Sequence, residues 1–141
     1  MTNSKTTKSK SSKAYTYAIG RRKASIANLK LYKGKSESIV NGKALEVYFP
    51  LLSDKLVYSK PFVVTKTTDK YYWEARVSGG GKQGQLEAMT LALARALKII
   101  DISFGPILRN NGLMTVDSRV RQRRMVGTGG KARRAKQSPK R

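Results

Sequence analysis

Apolar and polar positions alternate from Tyr15 onward. Tyr15, Tyr17 and Ile19 recur at every second place, and after a turn-like Gly20-Arg21-Arg22-Lys23 the alternation resumes at Ser25, Ala27, Leu29 and Leu31, with Ile26 on the other face. A period of two marks a strand with one buried side. The run predicts one long strand, with room for a bulge at Gly20, ending at Lys33-Gly34-Lys35. Ser38-Ile39-Val40 predicts a short strand pairing back antiparallel, closed by Asn41-Gly42. Residues 44–49 suit about one helical turn stopped by Pro50. Residues 51–59, with Leu52 and Leu56 four apart, suit a second short helix ending before Pro61. Phe62-Val63-Val64 leads into a polar turn at Thr67-Thr68-Asp69-Lys70. Residues 71–77 then alternate again, with Tyr71, Trp73, Ala75 and Val77 on one side and Tyr72, Glu74 and Arg76 on the other. Aromatics on a sheet suggest a base-stacking platform. Trp73, however, shares its face with Ala75 and Val77, which assigns it to the core.

The period changes to 3.6 after Gly79-Gly80-Gly81-Lys82-Gln83-Gly84-Gln85. From Leu86 to Ile100 the residues Leu86, Met89, Leu93, Leu97 and Ile100 share about a quarter of the helical wheel, so this stretch is a helix with a core stripe. Ala88, Ala92 and Ala96 add a ridge of small residues that permits close backbone approach. A glycine loop before a helix offers unpaired amides to a phosphate. The Walker pattern fails, because no Lys-Ser/Thr pair follows Gly84, and Gly79, Gly81 and Gly84 match Gly-x-Gly-x-x-Gly only by chance. A structural turn or an RNA-backbone contact is the reading. A short helix at residues 106–109 closes at Asn110-Asn111-Gly112. Residues 113–116 form either a last short strand or a loop into the tail. The sum is an α+β domain over residues 14–117, one sheet with helices on one side.

Charge changes the picture at the ends. The chain has 141 residues, 30 Lys+Arg and 8 Asp+Glu, a formal net charge of +22. Residues 1–13 carry four Lys and no acid, which predicts a short disordered basic arm. The stretch lacks the apolar centre of a secretory signal. It is acid-free and Ser-rich like an organelle transit peptide, yet its lack of Arg and of an amphipathic period favours an RNA-facing arm. Residues 118–141 carry ten cations and no acid, with Val120, Met125 and Val126 as the only sizeable apolar side chains. Such a segment buries too little to offset its ordering entropy, so it predicts an extended tail ordered by a polyanion rather than a merely solvated one. Arginine donors match phosphate oxygens and stack on bases, which favours RNA. At Arg21-Arg22-Lys23 at least one side chain must point away from the core, towards phosphate.

Cysteine and histidine are both absent. That removes disulfides, thiolate nucleophiles, Cys/His metal sites and His-based acid–base chemistry, and eight scattered acids make a poor carboxylate metal site. No apolar run approaches the roughly 18–20 residues that span a bilayer. No cofactor, metal, catalytic residue, small-molecule substrate or membrane is expected.

Laid end to end, these pieces resemble the small-subunit ribosomal protein S-nine family from about Tyr17 to Arg141. Five blocks carry the resemblance in order: Gly20-Arg21-Arg22-Lys23-Ala24; Val40-Asn41-Gly42-Lys43 with Tyr48-Phe49; the glycine loop through Leu86-Glu87-Ala88 to Ala94-Arg95-Ala96-Leu97; Leu108-Arg109 through Gly112 to Arg119; and Lys131-Ala132-Arg133-Arg134 with Gln137, Lys140 and Arg141. The resemblance implies a two-layer α/β sandwich with a mixed sheet and a left-handed βαβ crossover, in the head of the small subunit beside neighbouring ribosomal proteins. It also implies a tail threaded through ribosomal RNA towards the peptidyl-site tRNA, with Lys140 and Arg141 as the tRNA-facing pair. Expected contacts to ribosomal RNA are Arg21, Arg22, Lys23, Lys82, Arg119, Arg121, Arg123, Arg124, Lys131, Arg133, Arg134 and Lys136. Gln122 stands where the family commonly has an acid, and no aromatic precedes Ser138-Pro139-Lys140-Arg141. A stacking role there is not implied; the terminal charges are retained. The pattern is of bacterial or organellar type, which places the chain in ribosomes of the cytoplasm, or of an organelle matrix or stroma. Two other readings are an RNA-processing subunit such as the ribonuclease P protein component and a nucleoid DNA-binding protein. The first need not carry an acid-free arm, and the second lacks a groove-reading helix.

Overall fold

The computed structural model describes residues 14–127. The expectations for the arm at 1–13 and for Lys131, Arg133, Arg134, Lys136, Lys140 and Arg141 lie outside the described residues.

The expected long strand is two strands. β1 (Tyr15–Arg22) and β2 (Ser25–Lys33) form an antiparallel hairpin whose last pair is Arg22 with Ser25. Two residues connect them, and Lys23 takes the left-handed φ of 54° that reverses the chain. The reversal moves the buried face from even to odd positions, but Tyr15, Tyr17 and Ile19 carry the apolar alternation on at odd positions and hide that shift. The phase of β1 also differs from a core face of Tyr15, Tyr17 and Ile19. Ala18 and Gly20 are buried and the three larger residues face out. The cause is the backbone of the long helix. A Cβ at Gly20 would lie 1.9 Å from the Ala88 carbonyl oxygen and 2.8 Å from the Ala92 nitrogen, so only glycine fits.

β3 (Ile39–Val40) does not pair with the first hairpin. It pairs antiparallel with β4 (Lys43–Ala44) around Asn41-Gly42, and parallel with β5 (Tyr71–Ser78). The connection from β3 to β5 contains α1 (Leu45–Tyr48) and α2 (Leu52–Thr65), which makes this a βαβ unit. The sheet is mixed, in the order β1-β2-β5-β3-β4. The Asn41 side chain extends the pairing like one more strand residue. Its Oδ1 accepts from the Val77 N–H and its Nδ2 donates to the Val77 carbonyl, both at 2.9 Å.

α2 runs on through Pro61 rather than ending before it. Proline removes one helical hydrogen bond. The turn around it nevertheless buries Tyr58, Pro61, Phe62 and Thr65 against the sheet and α3, and that burial outweighs the lost bond. Phe62 stacks on Trp73 with ring centroids 5.1 Å apart, and Tyr58 meets the same indole edge-on at 6.2 Å. Trp73 is thus core, 7% exposed. The helix ends in a Schellman arrangement: Lys66 takes φ 54°, Thr67 N–H donates to Phe62 O (3.0 Å) and Lys66 N–H to Val63 O (3.2 Å).

α3 (Lys82–Ile100) begins inside the glycine loop, with Gly81 as its N-cap. Leu86, Met89, Leu93 and Leu97 are fully buried as the wheel predicts, but Ile100, in the last turn, is 38% exposed. The alanine ridge at 88, 92 and 96 is buried to 0% exposure, and Ala88 and Ala92 lie against Gly20. α4 (Phe104–Asn110) starts two residues earlier than expected and closes at Gly112 (φ 71°), with Leu113 N–H donating to Leu108 O at 3.0 Å. Residues 113–127 contain neither helix nor strand. Sheet and helices make the expected two-layer α+β domain.

Candidate nucleic-acid interface

The glycine loop owes its composition to the hairpin turn beside it. Gly79 and Gly80 both take positive φ (72° and 58°). Added Cβ atoms there would lie 2.3 Å from the Ala24 carbonyl oxygen and 2.2 Å from the Ser25 hydroxyl, respectively. Ser25 Oγ donates to the Gly79 carbonyl (3.1 Å), which also accepts from Gln85 Nε2 (3.1 Å). Gln85 in turn accepts from the Tyr48 hydroxyl at 2.7 Å. The structural-turn reading therefore accounts for these glycines, and the hairpin tip is held against the first turn of α3.

Arg21 and Lys23 at that tip are exposed. Arg22 is not: its side chain is 13% exposed and is occupied within the protein. Its Nε pairs with Glu87 Oε2 at 2.5 Å and its Nη2 with Asp117 Oδ2 at 3.1 Å, while Nη1 donates to the Arg119 carbonyl at 2.9 Å. Asp117 also receives Arg119, from both the main-chain N–H (2.9 Å) and the guanidinium (2.6 Å). One arginine of β1 thereby joins the side of α3 to the root of the tail. Sequence reasoning singled out Arg22 as a phosphate ligand and missed Glu87 and Asp117 altogether. The available signal was parity: Arg22 sits two places after Gly20, on the side of β1 that faces α3.

The acids respond to this arrangement. The Arg119 side chain and main-chain N–H, with Arg22 nearby, hold Asp117 well below the usual carboxylate range. Burial pushes Glu87 up, but its hydrogen bonds to Gln83 and Arg22 outweigh that and leave its pKa lowered. Arg119 is raised in return, first by its bonds to Asp117.

Lys82, at the start of α3, turns to α1. Its ammonium lies 3.4 Å from the Tyr48 ring centroid and donates to the Tyr48 carbonyl at 3.1 Å. Arg121 and Arg123 are exposed and Arg124 is half-buried, on a segment with no regular structure. The structure thus gathers Arg22 and Arg119 beside the start of α3, with Lys23 at the adjoining hairpin turn and Arg21 on the opposite face of the sheet, sets Lys82 over α1, and carries Arg121, Arg123 and Arg124 on the irregular segment that follows. Among the described residues no group of three acids could hold a metal ion, and no helix is long and apolar enough to cross a membrane.

This basic end and the tail that leaves it fall inside a family match. The model of the family described as "Ribosomal protein S9/S16" matches residues 20–141. The chain belongs to the ribosomal protein S9/S16 family. It is similar to the small ribosomal subunit protein uS9 of Maridesulfovibrio salexigens, 39% identical over 119 residues that cover 84% of this chain and 92% of the relative. The corresponding protein of Lawsonia intracellularis is 39% identical over 122 residues, covering 86% and 92%. That of Desulfovibrio desulfuricans is 35% identical over 116 residues, covering 82% and 89%. As a member of the S9/S16 family the chain is a ribosomal protein and not an enzyme. The match opens at Gly20, the residue that seats α3 on β1.

Proposed function

We propose that this protein is a structural constituent of the small ribosomal subunit that binds ribosomal RNA through its basic end and tail, and that Lys140 and Arg141 reach the peptidyl-site tRNA. The observation that carries this is the continuity of the family match through the cationic tail to Arg141, joined to a body that anchors the tail's root at Arg119. Arg21, Lys23, Arg119, Arg121, Arg123 and Arg124, with Lys131, Arg133, Arg134 and Lys136 beyond the described residues, neutralise phosphate. Arg22 acts one step back, as a positioning residue for Arg119. Lys82 keeps donor capacity beyond its bond to Tyr48, since an ammonium carries three N–H groups. Neighbouring ribosomal proteins complete its surroundings, and the chain resides with ribosomes. The uS9 relatives give no support to a ribonuclease P role.

The test is fractionation on a sucrose gradient. The chain co-sediments with small subunits; its absence from them, at matched expression, would overturn the reading. A variant lacking Lys140 and Arg141 still co-sediments but holds peptidyl-site tRNA less tightly. Lost assembly with unchanged tRNA affinity contradicts the tail assignment.

A further inference from the structure

The face of the sheet turned away from α3 carries side chains that neither packing nor the basic end explains. An antiparallel sheet with one solvated face ordinarily bears polar residues there. Here the rows across β1, β2 and β5 read Tyr15, Tyr32, Tyr72; then Tyr17, Lys30, Glu74; then Ile19, Asn28, Arg76; then Arg21, Ile26, Ser78. Tyr15 is 51% and Tyr17 47% exposed. The first row is a continuous aromatic ladder: Tyr15 and Tyr32 have ring centroids 5.7 Å apart, and Tyr32 stacks on Tyr72 at 5.1 Å. Lys30 lies 5.1 Å from the centroid of the Tyr15 ring. The face holds three cations (Arg21, Lys30 and Arg76) and one acid (Glu74).

We infer that this open face is a second RNA-binding surface, on which the tyrosines stack unpaired nucleotides. The inference rests on the proposed role in ribosomal RNA binding and adds a site on the sheet face opposite α3. Rings displayed on a sheet accept bases of any sequence, and flanking cations meet the phosphates between them. The surplus of cations favours a polyanion over a protein surface of mixed charge. In the middle of the face, Tyr17, Asn28, Lys30, Glu74 and Arg76 line a shallow depression of about 190 Å³. Tyr17 donates its hydroxyl to Asn28 Oδ1 at 3.2 Å, which orients ring and amide together. A carboxylate in that depression repels a phosphate, while an amide, a carboxylate and two cations supply acceptors and donors for the edge of a base. The depression suits a base, and its rim suits the backbone.

The experiment compares the full chain with a Tyr15→Thr/Tyr17→Thr variant, which keeps strand-forming residues, and with Tyr15→Phe/Tyr17→Phe, which keeps the rings. Each binds a mixed-sequence single-stranded RNA and the duplex formed with its complement, over a range of salt. The threonine variant loses about five- to a hundredfold in single-strand affinity, little in duplex affinity, and none of the slope of log K against log salt. The phenylalanine variant stays near the unsubstituted chain. Equal losses on both RNAs, or no loss on the single strand, overturn the inference, as does loss of subunit association by the threonine variant with unchanged RNA affinity, which would assign the face to a protein. Failure of the unsubstituted chain to bind either RNA defeats the broader reading instead. Matching thermal midpoints for the three proteins show that the comparison is between folded chains.

Discussion

Arg22 engages two carboxylates and a main-chain carbonyl at once, and this part of the stability depends on pH. Asp117 and Glu87 have pKa values lowered in the folded state from ordinary values of 3.8 and 4.5. A carboxylate depressed by folding contributes stability above its unfolded pKa and loses it as pH falls through the folded one. The thermal midpoint should therefore change little between about pH 5 and pH 8 and drop below about pH 4. Arg22→Ala should remove part of that acid-dependent drop; an unchanged profile in differential scanning would refute the role. Gly20 offers a second test at this scale. Gly20→Ala forces apart the backbones of β1 and α3, and should destabilise the domain by about 3 kcal/mol in urea unfolding, at the upper end of overpacking effects. A change under about 0.5 kcal/mol would show that the contact yields easily.

At the scale of elements, α2 shows local preference overruled by packing. Pro61 argues for a boundary, and the β-branched pair Val63-Val64 lowers helix preference, yet burial of Tyr58, Phe62 and Thr65 carries the helix to Thr65. Its closing residue, Lys66, holds a left-handed conformation that costs a residue with a Cβ about 1 kcal/mol or more. Lys66→Gly should accordingly stabilise the domain by about 0.5–1 kcal/mol, read as a rise of a few degrees in thermal midpoint. A fall would mean that the Lys66 side chain contributes contacts of its own. The strand at Tyr71–Ser78 and the body of α3 were legible because each keeps one period over many residues, at strand and helical spacing respectively. The hairpin at Lys23 was not, because the outward-facing Tyr15, Tyr17 and Ile19 are larger than the buried Ala18 and Gly20 and mask the change of face at the turn. The parallel pairing of β3 was hidden for a different reason: two residues, Ile39 and Val40, carry too little pattern to choose a partner. Of the candidate site, the cations themselves were legible from composition. The assignment of Arg22 to Glu87 and Asp117 was not, because those residues lie 65 and 95 positions away along the chain.

For the whole molecule, thirty cations against eight acids make affinity for RNA a matter of counterion release. Binding to isolated ribosomal RNA should weaken steeply with salt, with a slope of log K against log salt steeper than about −5. A slope near zero would contradict the electrostatic account. Charge of this kind acts at a distance and without direction, and any polycation of similar composition would share it. What the folded body adds is geometry. Two of the chain's few acids are committed to one guanidinium and to the arginine beside it, so residues 120–127 depart from a fixed mooring rather than a loose end. The fold thus sets where the cationic segment begins, while attraction to phosphate sets only the strength of the pull.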